Sequence, residues 1–466
     1  MKQSSVKILY YNENASSIVA SAGRISTTKG SAIELYDKSC EKSGEENHRL
    51  IQKILLSGHT SVLEHMNFNL AFDNVSVFVE QFMIEFRLAS FTVKSRRYVD
   101  FGHMGYVSPD FDAYGEQGDT IRTIYRNHME YLFQEYNDLL ECGIPKEDAR
   151  FILPYSFRSN FYCTVNARQL VKIVNEMVYG RGKDYAEIAA LGRSLMDQCR
   201  EIAPFLEFAD SSNGESGFDI PIQKPEEVCP SRERTKERQE SVRLLNGPDN
   251  PEEMICRAFL LESGYGFMQT AGSGTETRKK ILQKILSRSR KRELEQVNFT
   301  VLFQKISLAG ITHLVRHRMQ SIVIPDYGNA CRFQDYIIPQ SIVNAGLEER
   351  YTGIFSKSET VYEQLKHAGF SICDKVYTVL SGLTVPVMTT MNANELATFI
   401  RLRSCNRAQW EIRSLSVSLL EILRREYPDL FSLYGPTCYM TGKCPEGKMS
   451  CGQMEQIQKT FAMKCD

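Results

Sequence analysis

The stretch QKILLSGHTSVLEHMNFNLAFDNVS, residues 52–76, returns as QKILSRSRKRELEQVNFTVLFQKIS, residues 283–307. The offset is 231 throughout and needs no gap. A second block, TVNARQL at 164–170, matches TMNANEL at 390–396 with an offset of 226. Because the two matches occur in the same order at similar offsets, they predict a tandem duplication of one domain of about 200 residues.

The boundary between the two copies is expected in residues 209–253, which are rich in glycine, proline, serine and charge. Such a composition with little apolar periodicity is typical of a linker. We therefore expect a first repeat at residues 1–212, a linker at 213–252, a second repeat at 253–430 and a cysteine-rich tail at 431–466. Within the boundary region, RERTKERQESVRLL at 232–245 could form a short helix.

The same order of elements is predicted in each repeat. FNLAF at 68–72 and FTVLF at 299–303 alternate apolar and other residues with a period of two, which predicts strands. Ser76 and Ser307 follow in positions that favour helix caps. Strands and helices in mixed order, without repeated βαβ units, indicate an α+β fold with a mixed or antiparallel sheet in each copy. The predicted helices span residues 34–58, 77–90, 167–178, 308–321 and 393–404.

The composition argues against several classes of protein. Hydrophobic residues make up 42% of the 466 residues and charged residues 24%, which predicts a folded core. The net charge of -1 argues against a general nucleic-acid or membrane-surface binder. No apolar run reaches the ~20 residues of a membrane helix, and the N-terminal residues lack the apolar core of a signal peptide. We expect a cytoplasmic protein with neither nucleic-acid nor membrane partners.

Three cations in a row, Arg316, His317 and Arg318, lie inside the otherwise apolar stretch ITHLVRHRMQSIVIP. One interpretation is that they favour the C-terminal end of a helix dipole and extend into solvent. The other is anion capture, because arginine forms charge-assisted, often bidentate bonds to phosphate. Two further clusters, SRRY at 95–98 and RLRSCNRAQWEIR at 401–413, place arginines beside hydroxyls or the single tryptophan. Several such clusters in a neutral protein favour a polyanionic small ligand.

Taken together, these motifs resemble those of the flavin-dependent thymidylate synthases. That family carries an RHR motif followed by Ser, Arg and often Tyr, and later V-N-A-R and A-Q-W/Y-E-I segments. Here the corresponding segments are GHTSVLEH at 58–65, SRRY at 95–98, VNAR at 165–168, RHR at 316–318 and AQWEIR at 408–413. The resemblance covers roughly residues 18–205 and 255–425, and it implies two tandem copies of the thymidylate synthase domain.

The two repeats depart from the family pattern at different places. In the first repeat, Glu85 and Phe86 replace the first two residues of RHR, yet the later Ser and Arg remain as Ser95 and Arg97. In the second repeat RHR is intact, but the later positions hold Asp326 and a glycine. Since each copy keeps what the other has lost, the resemblance implies one composite active site made from both repeats.

Other family positions follow the same division, with one exception. GHxxxxEH is intact only in the first repeat, and the arginine that the family places over the pyrimidine is Met177 in the first copy and Arg403 in the second. The exception is the family's loop glutamate, which is Val93 in one copy and Ile324 in the other. Glu85 or Asp326 is a conceivable substitute.

The resemblance also implies roles for individual residues. Those expected to hold the flavin are Arg316, His317, Arg318, Asn392, Ser26, His59, Ser61 and Glu64. Those expected to bind the nucleotide phosphate and pyrimidine are Ser95, Arg97, Arg150 and Arg403, with Ser95 and Arg403 taking part in catalysis.

The implied reaction is the reductive methylation of dUMP to dTMP, with FAD as cofactor, NADPH as reductant and methylenetetrahydrofolate as carbon donor. Enzymes of this family are homotetramers with FAD at subunit interfaces, so a homodimer of this chain is expected to act as a pseudo-tetramer. Two alternatives remain open. One is a catalytically degenerate homologue that binds flavin or nucleotide, and the other is an enzyme that acts on a different pyrimidine nucleotide.

Several candidates also have a purely structural interpretation. Asn166 and Asn392 are well placed as helix caps, and Asp326 in IPDYGN suits a turn. His59 and His65 bracket an apolar turn and, taken alone, would be structural. Three arginines without a family role could pair with acids on a solvated face: Arg401, Arg407 and Arg413.

The tail contains CYMTGKCPEGKMSC, which places Cys438, Cys444 and Cys451 within fourteen residues, and Cys465 follows near the end. Thiolates on such a glycine- and proline-containing loop could bind Zn²⁺ or an iron–sulfur cluster. The spacings are wider than CxxC, so free or redox-active thiols are the alternative. The other nine of the 13 cysteines are scattered singly, as expected of reduced, buried thiols.

Overall fold

The computed structural model describes residues 3–209, 240–266 and 274–462. The chain divides into two compact units, which we call unit 1 (Met1–Arg234 with Ile338–Ser381) and unit 2 (Thr235–Ile337 with Gly382–Asp466). Each unit contains a four-stranded sheet surrounded by helices. The predicted α+β class and the predicted duplication are both confirmed.

The two sheets have the same topology, and every strand pairing in them is antiparallel. The strand order is β1-β2-β4-β3 in unit 1 and β5-β6-β8-β7 in unit 2. The strands are β1 (Ser5–Tyr11), β2 (Asn67–Ser76), β3 (Ala89–Val93), β4 (Arg158–Asn166), β5 (Val242–Asn246), β6 (Asn298–Ser307), β7 (Gln320–Val323) and β8 (Thr384–Asn392).

Helices cover most of the remaining described chain. Those of unit 1 are α1 (Ala15–Arg24), α2 (Ala32–Cys40), α3 (Gly44–Leu56), α4 (Val77–Ile84), α5 (Gly118–Glu141), α6 (Lys146–Ala149), α7 (Ala167–Val178), α8 (Ala186–Ile202), and, from later in the chain, α13 (Gln340–Asn344) and α14 (Glu348–His367). Those of unit 2 are α9 (Pro251–Glu262), α10 (Thr275–Ser287), α11 (Leu308–Leu314), α12 (Tyr327–Ala330), α15 (Ala393–Arg403), α16 (Trp410–Glu426), α17 (Pro428–Phe431), α18 (Thr437–Thr441) and α19 (Met454–Phe461). Short 3-10 turns lie at Thr60–His65, Phe111–Gln117, Arg150–Ile152, Arg292–Gln296, Asp374–Tyr377 and Gly447–Met449.

The duplicated sequence block forms the central strand of each sheet. Alternate residues of β2 and β6 are fully buried, as the period of two predicts. The ladder between β2 and β4 is interrupted between Phe72 and Val75, and that between β6 and β8 at the equivalent place, between Phe303 and Ile306. The duplication has therefore kept an irregularity of the sheet as well as its hydrophobic pattern.

A capped junction joins each central strand to the following helix. The Ser76 side chain accepts a hydrogen bond from the backbone N–H of Val79, and the Ser307 side chain accepts one from Gly310, so both predicted caps are confirmed. A carboxyl group from a distant helix completes each junction by accepting the serine's own backbone N–H. Glu187 does so at 2.9 Å from Ser76, and Glu411 at 2.6 Å from Ser307.

The junction in unit 2 is packed especially closely. The hydroxyl of Ser307 also donates to the second carboxyl oxygen of Glu411, whose side chain is buried. A Cβ at position 310 would lie 2.9 Å from that oxygen and 3.0 Å from Ile306. Gly310 therefore lets the carboxyl group approach the first turn of α11.

Two predicted helices are shorter than the sequence indicated, and this is a correction. The helices predicted at 77–90 and 308–321 end at Ile84 and Leu314, and their last residues belong to β3 and β7 instead. The reason is long-range pairing: Ala89 pairs with Val165, and Gln320 pairs with Met391. Tertiary hydrogen bonding has overridden a helical pattern.

Other boundaries differ in smaller ways. The region 34–58 is two helices, α2 and α3, because Ser43 caps a new helix in a capping box with Glu46. In the stretch 232–245, Val242 begins strand β5 rather than continuing a helix, and residues 232–239 lie outside the described part. The helices predicted at 167–178 and 393–404 are confirmed as α7 and α15.

A segment of the second sequence repeat, Ile338–Ser381, belongs to unit 1. Arg350 on α14 forms ion pairs with Glu135 and Asp138 on α5. The backbone N–H of Tyr155 donates to Val379 at 2.8 Å, and that of Ser381 donates to Leu153 at 2.9 Å. These contacts fix the segment to unit 1, which the division of the sequence into consecutive domains did not anticipate.

Within the described ranges, no helix is both long and apolar enough to cross a membrane.

We expect Glu411→Ala to destabilise unit 2 by about 2–3 kcal/mol, because it leaves the buried N–H and hydroxyl of Ser307 without their acceptor. Trp410, the single tryptophan of the chain, precedes Glu411 and reports unfolding by its fluorescence during urea denaturation. The matched control is Glu421→Ala on the same helix, whose exposed side chain should change the free energy of unfolding by less than about 0.5 kcal/mol. Equal effects of the two substitutions would show that the buried carboxyl group does not stabilise the junction.

Candidate active site

The RHR motif lies in a turn between α11 and β7, not at the C-terminal end of a helix as the sequence suggested. Arg316 and Arg318 are exposed, whereas His317 between them is buried. The side chain of Gln320 fixes this turn by donating to the last carbonyl of α11, Leu314, at 2.6 Å and accepting from the hydroxyl of Thr389 on β8 at 2.6 Å. The motif thus places two exposed arginines on either side of a buried histidine ring.

Both nitrogens of the His317 ring have partners on α15. Nδ1 lies 2.9 Å from Oε1 of Glu395, and Nε2 accepts a hydrogen bond of 3.0 Å from Nε of Arg403. Arg403 has no lone pair to offer, so Nε2 must be the acceptor and Nδ1 must carry the proton that Glu395 accepts. Burial, aided by the charge of Arg403, lowers the pKa of His317, although Glu395 acts in the opposite direction. His317 is therefore a neutral link and not a third cation.

Asn392 begins α15 and has the capping role that its position suggested. Its side-chain oxygen accepts the backbone N–H of Glu395 at 2.9 Å. The cap places Glu395 on the first turn of α15, where its carboxyl group meets His317. Unit 2 thus brings together the predicted residues His317, Arg403 and, through Glu395, Asn392. Arg316 and Arg318 flank His317 in the chain.

Sequence reasoning missed Glu395. The signal was present, because N-A-N-E places an acid three residues after a capping asparagine. In a capping box that acid would bond back to the cap's own N–H, but here it turns to His317 instead.

In unit 1, two predicted phosphate-binding residues, Arg97 and Arg150, meet at Glu147. Nε of Arg97 lies 2.8 Å from a carboxyl oxygen of Glu147, and Nε of the buried Arg150 donates to the backbone carbonyl of Glu147 at 3.1 Å. The backbone N–H of Arg97 approaches the Ser95 hydroxyl at 3.4 Å. Lys146, next to Glu147, donates to the carbonyl of Tyr98 at 3.5 Å. Glu147 thus holds the loop after β3 against α6, and it had no sequence signal of its own.

Arg96, within the SRRY cluster, has a structural role. Its side chain is buried and donates to Glu80, whose other oxygen accepts from Ser159 at 2.5 Å. A paired and buried guanidinium does not present charge to a ligand. Within the cluster at 95–98, Arg97 is therefore a candidate for binding an anionic ligand, and Arg96 is not.

The remaining predicted flavin residues of unit 1 lie on its surface. His59 precedes the 3-10 turn that carries Ser61 and Glu64, and all three are exposed. Glu64 forms an ion pair with Arg168, the arginine of VNAR at the start of α7. Ser26 lies apart in the turn after α1, where its hydroxyl donates to the carbonyl of Gly23 at 3.4 Å.

Unit 2 has an altered version of the same pair. Glu295 and Asn394 stand where unit 1 has Glu64 and Arg168, and Asn394 donates to Glu295 at 3.4 Å. Arg292, three residues before Glu295, takes over the ion pair at 2.7 Å. The contact has therefore survived the loss of the motif, with a different cation.

The two suggested substitutes for the loop glutamate are both engaged elsewhere. Glu85 accepts from Arg181 at 2.6 Å and from Gln81 at 3.0 Å. Asp326 caps α12 by accepting the backbone N–H of Asn329 at 2.9 Å, which confirms the turn interpretation.

The metal interpretation of the tail finds no support in the described residues, where no group of three or more His, Cys, Asp or Glu side chains is arranged to hold a metal. Cys438 is buried on α18, and Cys444 and Cys451 are half-buried. Burial raises the pKa of the Cys438 thiol, and the nearby thiols of Cys405 and Cys444 add to this. Cys465 lies outside the described part of the chain. Free thiols describe this region better than metal ligands.

We expect the stability of unit 2 to fall as the pH drops below 6.5, the ordinary pKa of histidine. The folded protein keeps His317 neutral while the unfolded chain takes up a proton, so the free energy of unfolding decreases by up to about 1.4 kcal/mol per pH unit. Urea denaturation at pH 7.5 and pH 5.5, followed by Trp410 fluorescence, measures this. In His317→Gln, the free energy of unfolding should decrease less between pH 7.5 and pH 5.5 than in the wild type. In the control His103→Gln, at an exposed histidine, the decrease should equal that of the wild type. A full decrease in His317→Gln would contradict a neutral, buried ring.

Comparison with known proteins matches the sequence to one family. The sequence profile of the thymidylate synthase complementing protein family, Thy1, matches residues 7–205 and 243–429. The flavin-dependent thymidylate synthase of Clostridium tetani is 33% identical over 241 residues, which is 47% of this chain and 96% of that protein. That of Geobacter sulfurreducens is 33% identical over 186 residues, covering 39% of this chain and 79% of that protein.

A solved structure of the UMP/dUMP methylase PolB from Streptomyces cacaoi, bound with 5-Br dUMP, is 22% identical. It covers 44% of this chain and 93% of that chain with a TM-score of 0.37, which is too low to support an argument. The profile alone matches both repeats and most of the sequence. The chain therefore belongs to the thymidylate synthase complementing protein family, whose relatives matched here are flavin-dependent thymidylate synthases.

Proposed function

We propose that the protein is an FAD-dependent thymidylate synthase with a composite active site built from both repeats. The observation that carries this is the complementary division of the family's motifs. Unit 1 holds Ser95, Arg97 and Arg150 in one cluster, while unit 2 holds RHR and Arg403 in another. A chain that had lost its activity would be expected to lose motifs at random.

The proposed reaction converts dUMP, methylenetetrahydrofolate, NADPH and a proton into dTMP, tetrahydrofolate and NADP⁺. FAD, which Arg316, His317, Arg318 and Asn392 would hold, would supply the hydride-transfer chemistry of this reduction. The protein's own residues bind, orient and polarise the reactants.

The cluster in unit 2 fits an electron-rich cofactor and an anionic base. Arg316 and Arg318 are exposed donors, and guanidinium groups match phosphate and carbonyl oxygens. His317 accepts a hydrogen bond from Nε of Arg403 and so keeps that guanidinium oriented. Arg403 is thus prepared to stabilise negative charge that develops on a pyrimidine during methylation.

The cluster in unit 1 fits a phosphate. Arg97 is held by Glu147 at 2.8 Å, so a nucleotide phosphate would have to share or replace this carboxyl group. Ser95 adds a hydroxyl donor, and Arg150 adds a buried cation behind it. His59, Ser61, Glu64 and Ser26 would contact the more distant part of FAD from the surface of the same unit.

For the assembly, we propose a homodimer that acts as a pseudo-tetramer, so that four domains form fewer competent sites than a tetramer of single-domain enzymes. The second candidate function is a degenerate homologue that binds flavin or nucleotide. It is favoured by Val93 and Ile324 at the loop glutamate position, since Glu85 and Asp326 already have partners.

We expect Arg97→Ala and Arg403→Ala each to lower kcat/KM for dUMP by about 100-fold, because each removes a charge-assisted contact to the nucleotide. The purified full-length protein is loaded with FAD, and tritium release from [5-³H]dUMP is followed with methylenetetrahydrofolate and NADPH. Exposed arginines on α8 and α16 supply the matched controls, Arg200→Ala and Arg425→Ala, which should retain wild-type rates. Arg403→Lys tests whether charge alone suffices, and circular dichroism shows whether each variant is folded.

The outcomes separate the hypotheses. If each repeat had its own site, either single variant would retain about half of the wild-type activity. A protein that binds FAD, shows absorbance near ~450 nm and bleaches with NADPH, yet releases no tritium, would be the degenerate homologue or an enzyme of another pyrimidine. A protein that cannot be loaded with FAD would contradict the proposal altogether.

A further inference from the structure

Unit 2 contains a cavity of about 700 Å³ that none of the predicted site residues lines. Its wall is formed by α10 and the loop that follows it, one face of α15, and the region around α18. The family match ends at residue 429, so Leu433, Tyr439, Met440 and Thr441 in this wall lie beyond it. The cavity is therefore a feature of this chain's own extension as much as of the duplicated domain.

The charged residues that line the cavity are all cations. Lys291 and Arg401 line it, and none of the described lining residues is acidic. Nε of Arg401 is a buried donor without a hydrogen-bond partner in the described structure. Glu295, close in sequence to Lys291, is held by Arg292 at 2.7 Å and does not line the cavity. Among the described residues that line the cavity, no acid stands beside Arg401, so the suggested pairing with an acid finds no support there.

Both cations are specific to the second repeat. The offset of 231 that relates the repeats places Lys291 opposite Thr60, and the offset of 226 places Arg401 opposite Asn175. Meanwhile the arginine of VNAR, which Glu64 neutralises in unit 1, has become Asn394, another residue of the cavity wall. The second repeat has thus gained two cations without lining carboxylates around one space.

The cavity lining also contains a rigid aromatic ring and aliphatic side chains. The hydroxyl of Tyr439 donates to the carbonyl of Ser432 at 3.0 Å, Arg424 lies 5.7 Å from the ring centroid, and Phe461 packs at 6.1 Å. Leu286 and Leu433 also line the cavity. A fixed ring beside aliphatic side chains suits a flat heterocycle, since stacking needs no hydrogen-bond pattern.

We propose that this cavity binds a nucleoside monophosphate, with the phosphate at Lys291 and Arg401 and the base against Tyr439. The volume lies within the range of small-molecule sites. Two cations match the charge of one phosphate monoester, and the apolar wall supplies the contact that a free phosphate would lack. The inference does not depend on the proposed synthase activity.

The site lies on a different face of α15 from the candidate active site. Residues 401 and 403 are two apart, so their side chains point to nearly opposite sides of the helix. Arg403 contacts His317, whereas Arg401 faces the cavity. A residue of the active-site cluster can therefore be changed without touching the cavity, which gives the test a clean control.

The test is isothermal titration of the full-length protein with AMP, and separately with inorganic phosphate, adenosine and FAD. We expect AMP to bind more tightly than either phosphate or adenosine, and Lys291→Gln and Arg401→Gln each to weaken it by about tenfold or more. Tyr439→Ser should weaken AMP without changing the weak binding of phosphate. The matched control Arg425→Gln, an exposed cation of the same unit, and Arg316→Ala at the RHR turn should leave AMP binding unchanged.

Several results would overturn the proposal. These are the absence of millimolar or tighter binding of AMP, GMP, CMP and UMP, equal affinities for AMP and phosphate, or binding that survives both cation substitutions. If FAD displaces AMP from the wild type but not from Arg401→Gln, the cavity is a flavin site instead. Loss of AMP binding in Arg316→Ala would place the nucleotide at the RHR cluster, whereas failure of the synthase assay alone would leave this result unaffected.

Discussion

The structure depends on a buried strand-to-helix junction that occurs once in each unit. A serine ends the central strand, caps the next helix with its hydroxyl, and gives its own backbone N–H to a carboxyl group from a distant helix. A buried N–H without an acceptor is costly, so this carboxyl group ties α8 or α16 to its sheet. In unit 2 the same contact fixes the start of α11, and the RHR turn follows directly where α11 ends. Glu411, part of the AQWEIR motif, therefore fixes the helix that leads into the candidate site.

The junction explains which parts of the fold were predictable. The strands at 68–72 and 299–303, the serine and asparagine caps and α7 and α15 follow from local patterns, because each depends on neighbours in the sequence. The ends of α4 and α11 were not predictable, because Ala89 and Gln320 are drawn into strands by partners far away in the chain. The placement of Ile338–Ser381 in unit 1 had no local signal either, since it rests on pairs such as Arg350 with Glu135.

For the candidate site, it was easier to predict which residues take part than to predict their burial and protonation. The RHR turn, Asn392 and Arg403 were found from motifs, but the motif treats His317 as a cation. Burial between Glu395 and Arg403 makes it a neutral acceptor on one side and a donor on the other. Similarly, Arg96 and Arg97 are adjacent and chemically alike, yet only the first is buried against an acid, Glu80. Such differences arise from tertiary contacts, and the spacing of residues in the sequence does not reveal them.

The altered charges of the two repeats follow from fusing them in one chain. In an oligomer of identical subunits every copy must carry both halves of a shared site, because any change appears in all copies at once. Once two copies are joined, each half of the proposed composite site needs only one of them. Unit 1 keeps Glu64 paired with Arg168, whereas unit 2 has Glu295 with Asn394 and has added Lys291 and Arg401 nearby. Two cations that line one cavity without an acidic lining residue are unfavourable unless solvent or an anion compensates them. Lys291 lies in the segment that replaces GHTSVLEH, and the proposed binding of an anion explains why it shares a cavity with Arg401.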